Sequence, residues 1–376
     1  MSHDQPEHRP PTFTEARNKR QKVRSAGLHP DYWYPLEYAD RIKPGEVVGT
    51  AFWGKPVAVW RDVDGEFHAI EDRCAHRQIK LSEGKVKGCR ITCPYHGWTY
   101  DHLGRLVDVP HELFGHKSPK ISVPTYPVRV RYGLVWFFPG DPAKASRVPM
   151  PEVPELEGPD RWACVPFDYT WKAHHSMIMD NVCDFTHESL HEGWQPFATP
   201  KLTEVREVGD DVHVAYDTQV AAGRIYNLFI DRNKSSADHM RLCYEYPHQW
   251  SDTDGKYKHH MFVLPIDERT TRCFFLFYYE SLKVPFLPVR IPRALMVPVL
   301  KIANRLIMRP LLDEDGWAVE AEQAGYDRYH ELPIAEFSPV IKTFQALTIR
   351  KWEEYLAERD QQPSMRRLPI APSALR

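Results

Sequence analysis

Two groups of side chains in this sequence have the types and spacing to hold metal. In CAHRQIKLSEGKVKGCRITCPYHGW a C-x-H pair, Cys74 and His76, is followed after sixteen intervening residues by C-x-x-H, Cys93 and His96. Two thiolates and two imidazoles suit either a tetrahedral zinc ion or a [2Fe–2S] cluster with cysteines on one iron and histidines on the other. The details favour iron: each pair has one Cys and one His, and each lies in its own loop between β-rich runs. Pro94 and Gly97 fit tight loops around a cluster. Exchanging thiolate for neutral imidazole removes negative charge and raises the potential. Cys89 lies outside the pattern and reads as a buried small residue.

The second group begins with THESLHEG, residues 186–193, where His187, Glu188 and His191 stand in the order H-E-x-x-H. That order is a zinc-peptidase signature with Glu188 as general base. The residues before it change the reading. A helix is predicted from about Lys172 to Leu190, and Asp184, His187 and His191 at i, i+3 and i+7 share one of its faces. Asn181 lies near that face, while Glu188 is turned about 100° from His187. Two histidines and a carboxylate with open positions make the non-haem Fe(II) oxygenase triad, at which O2 binds. Extended peptidase signatures place Gly and a third His where this chain has Trp194 and Phe197. The zinc metallopeptidase is therefore a remote alternative.

Both groups, in this order, resemble one family. CPYHGWTYDHLGRL is similar to the second cluster loop of Rieske proteins. Asn181, Asp184, His187 and His191 match the N-x-x-D-x-x-H-x(3–5)-H segment of the Rieske non-haem iron oxygenases, terminal oxygenase alpha subunits of the single-chain homotrimer type in the demethylase/monooxygenase branch. LLDEDGWAVEAEQAG supplies the Glu314-Asp315 pair that opens a helix in that family, with Glu320 and Gln323 following in the pattern of the demethylase-like branch. The resemblance implies that His187 and His191 bind a mononuclear iron with Asp315 as third ligand. Asp313 is the alternative in the D-E-D run, and ordinary helix capping is the plainer job for any of these acids. It further implies that Asp184 is no ligand but bridges His187 to the cluster histidine His96 of a neighbouring subunit, and that the catalytic half has a helix-grip (Bet v 1/START-like) fold.

Stepping along the chain, EVVGTAF, PVAVWRD and EFHAIED read as strands, with Asp64-Gly65 as a hairpin turn. PVRVRYGLVWFF, residues 127–138, gives two strand-like halves around Gly133. Proline-rich 139–160 marks a boundary. RWACVPFDYTW, DVHVAYDT, MRLCYEY, HHMFVLPI and RCFFLFYYE suggest an antiparallel sheet. Helices are predicted at about Asp315–Tyr329 and over VIKTFQALTIRKWEEYLAER. The organisation is α+β: an N-terminal extension (1–30), an all-β Rieske domain (31–140), a linker (141–160) and an antiparallel-sheet catalytic domain (161–376).

Composition sets the limits. Lys plus Arg number 49 against 51 acids, net −2, so no basic excess points to nucleic acid. Seven scattered cysteines without an export signal suggest a reducing cytoplasm rather than a disulfide framework. No G-x-G-x-x-G fingerprint or plant-type ferredoxin spacing is present, so NAD(P)H electrons must arrive through a separate reductase, with or without a ferredoxin. The expected activity is monooxygenation, as hydroxylation or oxidative demethylation, of an apolar ring compound; cis-dihydroxylation and desaturation use the same site. An electron carrier with an inactive catalytic domain is the alternative of another class. Residues 284–312 mix apolar side chains with Arg293, Lys301, Arg305 and Arg309, which reads either as peripheral membrane contact or as a helix roofing the site. Phe274, Phe275, Phe277, Tyr278 and Tyr279 read as core, and His174, His175, His259 and His260 as surface or satisfied histidines.

Overall fold

The computed structural model describes residues 9–110, 120–193, 197–220, 238–255, 257–280 and 291–361. Residues 1–8 of the extension and 284–290 of the basic apolar segment lie outside the described residues.

Three small antiparallel sheets build the cluster-motif half. Strands β1 (Tyr34–Tyr38), β2 (Val47–Phe52), β3 (Lys55–Arg61) and β4 (Phe67–Glu71) follow a short helix α1 (Lys19–Val23). Then come β5 (Lys85–Lys87), β6 (Arg90–Thr92), β7 (Thr99–Tyr100), β8 (Leu106–Asp108), β9 (Thr125–Tyr126), β10 (Val128–Arg131) and β11 (Leu134–Phe137). They pair as β2-β3-β4-β9, β5-β6-β7-β8 and β1-β11-β10. The expected hairpins fall at Gly65 (φ +93°) and Gly133 (φ +76°), where the left-handed backbone favours glycine. Ala58, Trp60, Ile70, Leu81, Ile91 and Tyr100 form a separate buried cluster that includes Cys74 and Cys93.

The second half is a seven-stranded antiparallel sheet in the order β12-β18-β17-β16-β15-β14-β13. Its strands are β12 (Ala163–Trp171), β13 (Phe197–Val208), β14 (Asp211–Val220), β15 (Asp238–Glu245), β16 (His248–Thr253), β17 (Tyr257–Asp267) and β18 (Thr270–Tyr279). Helix α2 (His175–Cys183) enters after β12, and α3 (Arg293–Ala303), α4 (Arg309–Tyr329) and α5 (Pro339–Gln361) follow the sheet. The α+β expectation holds.

Register explains why β18 could not show simple alternation. Phe275 and Phe277 stack on Phe167 on the helix side, while Phe274 meets Tyr38 from the first half. Both faces are covered, so successive residues are buried. Each such ring contributes about 2–3 kcal/mol of apolar burial. On the helix face Tyr244 reaches Thr348 of α5 at 3.1 Å and packs on Phe344.

The halves are joined by main-chain and ionic contacts. The Trp53-Gly54 turn between β2 and β3 donates its amides to Pro265 and Ile266 carbonyls at 2.8 Å. Arg272 forks onto Glu37 and reaches Asp168, all at 2.8 Å. The N-terminal segment is tied in as well: buried Arg24 donates to Asp180 and Glu322 at 2.7 Å.

Two sequence expectations are corrected, and a third resolves to one of its alternatives. The helix expected over Lys172–Leu190 ends at Cys183, because Asp184 turns to an extended conformation and its carboxylate accepts from the Thr186 amide at 2.9 Å. A local side-chain bond of this type competes with the helical ladder. Cys89 is half-buried beside the Gly88 turn, not buried. Of the histidines read as surface or satisfied, His174, His175 and His260 are buried and His259 is half-buried, and they take the satisfied alternative. His175 donates to the Ala26 carbonyl at 2.7 Å, and His260 pairs with the Tyr278 hydroxyl at 3.0 Å.

Candidate metal centres

The cluster motif sits at two loop tips. Cys74 follows β4 and Cys93 follows β6; both sulfurs are buried. His76 and His96 lie outward of them, ring centroids 4.7 Å apart, and His76 stacks on Trp98 at 4.6 Å. The Ala75 amide donates to the Tyr100 oxygen at 3.0 Å, and the Tyr100 hydroxyl lies within hydrogen-bond distance of the Cys74 sulfur at 3.3 Å. Burial raises the Cys93 thiol, opposed by the Tyr95 and His96 amides aimed at its sulfur. Thiols lie inside and imidazoles outside.

Among the described residues, His187–His191–Asp315 and His29–Asp31–Glu358 are groups whose ligand atoms all lie within 4.8 Å of one another. The His29 group already contains a cation, since Lys144 contacts Asp31 at 2.6 Å and Glu358 at 2.7 Å.

His187 and His191 come together without the long helix. After Asp184 the chain makes a tight turn over Glu188–His191, closed by the Leu190 amide on the His187 carbonyl at 2.9 Å. The rings end 5.2 Å apart. Phe197, from β13, packs against both, and Phe185 bridges to Tyr216 of β14. Glu188 points away and accepts from the Thr199 amide at 2.7 Å, which removes it from any general-base role.

Helix α4 delivers the carboxylate. Asp315 Oδ1 stands 3.6 Å from His187 Nε2 and 3.4 Å from His191 Nε2, and it is buried without a hydrogen-bond partner. An orphaned buried carboxylate oxygen between two imidazole nitrogens is costly unless a cation occupies the space, so this set fits a metal ion. Asp313 is exposed and turned to the Tyr169 hydroxyl. Glu314 takes the other side of His191, at 2.7 Å from Nδ1. With Nδ1–H donating there, the Nε2 lone pair faces Asp315.

Electrostatics separates the two rings. Burial pushes the His187 pKa down despite Asp315 nearby. Burial also opposes charge on His191, but Asp315 and Glu314 outweigh it and raise its pKa. The orienting role of Glu314 was missed from sequence; its position beside a predicted ligand was the available signal. Glu320 and Gln323 accept from the Lys172 and His174 amides at 2.9 Å, tying α4 to the start of α2. Asn181 lies in the last turn of α2, its carbonyl accepting from the Asp184 amide at 3.2 Å.

Residues 32–127 match the family described as Rieske [2Fe-2S] domain, and residues 171–359 match the vanillate O-demethylase oxygenase C-terminal domain. Over 95% of this chain and 95% of the relative, the sequence is 44% identical to 4beta-methylsterol monooxygenase of Methylococcus capsulatus. The chain is a Rieske non-haem iron oxygenase.

The oxygenase is also 32% identical to the toluene-4-sulfonate monooxygenase system iron-sulfur subunit TsaM1 of Comamonas testosteroni, over 41% of this chain and 44% of that one. Dicamba monooxygenase bound to 3,6-dichlorosalicylic acid shares the fold with a TM-score of 0.70 at 19% identity, covering 90% of this chain and 100% of that one. Pseudomonas putida CBB5 NdmA with caffeine gives 0.65 at 23%, covering 92% and 94%. The oxygenase thus carries a Rieske [2Fe–2S] cluster and non-haem iron, uses O2, and draws on NAD(P)H through a reductase. Related Rieske oxygenases use a separate reductase and ferredoxin and act on small organic substrates. Monooxygenation fits the names its relatives carry.

Proposed function

We propose that the oxygenase hydroxylates or oxidatively demethylates a water-insoluble fused-ring substrate of the sterol class. The observation that carries this reading is the near full-length, 44% identity to a relative named for a methylsterol. The helix-side face of the sheet agrees in chemistry: Phe167, Phe275, Phe277 and Met261 share it by register, and Tyr216 extends it toward Phe185 and the two histidines.

In this reading His187, His191 and Asp315 hold the mononuclear iron, and Cys74, His76, Cys93 and His96 hold the cluster. Bound there, the two groups supply electron relay and O2 activation. The chain's own residues do the positioning. Glu314 keeps the proton of His191 on Nδ1, while Phe185 and Phe197 restrict water on the sheet side. Asp184, with Asn181 one turn before it, carries the bridge from His187 to the cluster of a neighbouring subunit in a homotrimer. Residues 31–140 and 161–376 are the working halves, 141–160 the linker and 1–30 the extension. The protein works in a reducing cytoplasm and meets its substrate by peripheral membrane contact within 284–312.

The test is turnover of a 4-methylsterol under 18O2 by anaerobically reconstituted protein, with NADH, a ferredoxin and its reductase. One labelled oxygen per O2 is expected, in the hydroxylated product or, for demethylation, in the released one-carbon fragment. A doubly labelled cis-diol, or an unlabelled alkene, would replace monooxygenation with another outcome. Absence of iron and acid-labile sulfide after reconstitution would sink the reading altogether.

A further inference from the structure

We propose that the outer face of α3 docks on an anionic lipid bilayer. A helix packed on a globular protein normally turns its apolar stripe inward. Here Leu295, Val299, Ile302 and Leu306 recur at i, i+4, i+7 and i+11 and are 64, 64, 61 and 61% exposed. That spacing holds them to one stripe. Met296 and Asn304, on the other side, are the buried members of the segment.

The charge beside the stripe selects the occupant. From Ser281 to Leu312 the sequence has no Asp or Glu, although the whole chain has 51 in 376 residues. Lys301 and Arg305 are exposed one turn apart on one side of the stripe, Lys301 also lining a groove with Arg293 and Val297, while Arg309 turns back over Phe167 and Tyr169 at 5.6 and 5.5 Å. A second copy of this chain in a two-fold contact would bring cation against cation. Lipid phosphates supply the missing negative charge, and the acyl boundary accepts the apolar stripe. Among the described residues no helix is long and apolar enough to cross a membrane, so the contact is one of lying on the surface.

The position has a use that rests on the reading of a water-insoluble substrate. The helix runs through a wider turn, Asn304–Met308, into α4, which carries Asp315. Leu306 and Asp315 are nine residues apart, about 14 Å along a helix. The docked face therefore holds the bilayer beside the proposed iron site.

The experiment is vesicle co-sedimentation of the holoenzyme, using phosphatidylcholine alone and phosphatidylcholine with phosphatidylglycerol, at low and high salt. Each cation near an anionic surface favours binding about fivefold, and salt screens it. Wild type should bind the phosphatidylglycerol vesicles at least about tenfold more tightly than the neutral ones. The pairs Val299→Ser/Ile302→Glu and Lys301→Glu/Arg305→Glu should each lose that binding. Thermal unfolding and turnover of detergent-dispersed substrate should stay at wild-type values. Wild type left in the supernatant at low salt overturns the proposal, as does undiminished binding by both variants. So does a change of oligomeric state in the Ile302→Glu variant, which would seat a second copy on the face. Vesicle binding without sterol oxidation leaves the docking face standing and removes the substrate reading.

Discussion

His191 is held at both nitrogens, by Glu314 at Nδ1 and opposite Asp315 at Nε2, whereas Asp313 two residues earlier faces solvent and Tyr169. The D-E-D run therefore gives a sharp experiment. Asp315→Asn should lower mononuclear iron affinity at least about tenfold, since the loss is of a ligand rather than of an outer partner. Its cluster absorbance should remain, and Asp313→Asn should keep both iron and turnover. Iron content after desalting, read beside the visible spectrum, decides it; an Asp313→Asn variant that loses iron would reverse the assignment. Asp184→Asn keeps a similar shape and the Thr186 contact but removes the charge. Both metals should stay bound while coupled turnover fails, and retained turnover would count against the bridging role.

The main difference between expectation and structure lies in the element joining these residues. Periodicity placed Asp184, His187 and His191 on one helical face; the structure brings His187 and His191 together by a helix end and a tight turn. Helical spacing happened to name the right neighbours, because both geometries return the chain after three or four residues. What it could not foresee was the choice of Asp184 to bond the Thr186 amide instead of continuing the ladder. Helix α4 depends on a similar local detail. A Cβ on Gly316 would press into the buried Trp171 indole of β12, closer than van der Waals contact allows. Gly316→Ala should thus destabilise by about 1–3 kcal/mol through overpacking and displace the neighbouring Asp315, reducing iron retention with no ligand changed. Gly325, on the same helix, has open space around it, so Gly325→Ala should hold or raise stability by up to about 1 kcal/mol. Equal effects of the two on melting temperature and iron content would refute this account.

At the scale of the molecule, interior histidines couple the sheet to pH. Burial pushes His175, His248 and His259 down to about 4 and His260 to about 3. His248 is fixed as neutral by geometry, donating from Nε2 to the Trp33 carbonyl and accepting the Val263 amide at Nδ1. In the unfolded chain a histidine titrates near 6.5. Below that pH the unfolded state takes up protons that the folded rings refuse, so stability is complete above about 6.5 and falls toward about 4. Each ring can contribute a slope of up to about 1.4 kcal/mol per pH unit. The urea midpoint should therefore drop clearly between pH 7.5 and pH 5.5, and a flat profile would show that the rings are not held neutral.

The class of chemistry was legible in the sequence. Cys74, His76, Cys93 and His96, with His187 and His191, stand out as candidates because metal coordination demands donor types at short spacings that few other roles require. The sequence also determined the α+β order and the strand runs, since each strand is a local pattern. Tertiary structure decided the rest. Only the fold brought Asp315, more than a hundred residues downstream, between the two imidazoles and turned the fallback Asp313 away from them. Only packing sent Glu314 to His191, Gly316 against Trp171, and the apolar stripe of α3 outward. These depend on which face of an element meets its neighbour, a property that spacing along one segment does not carry.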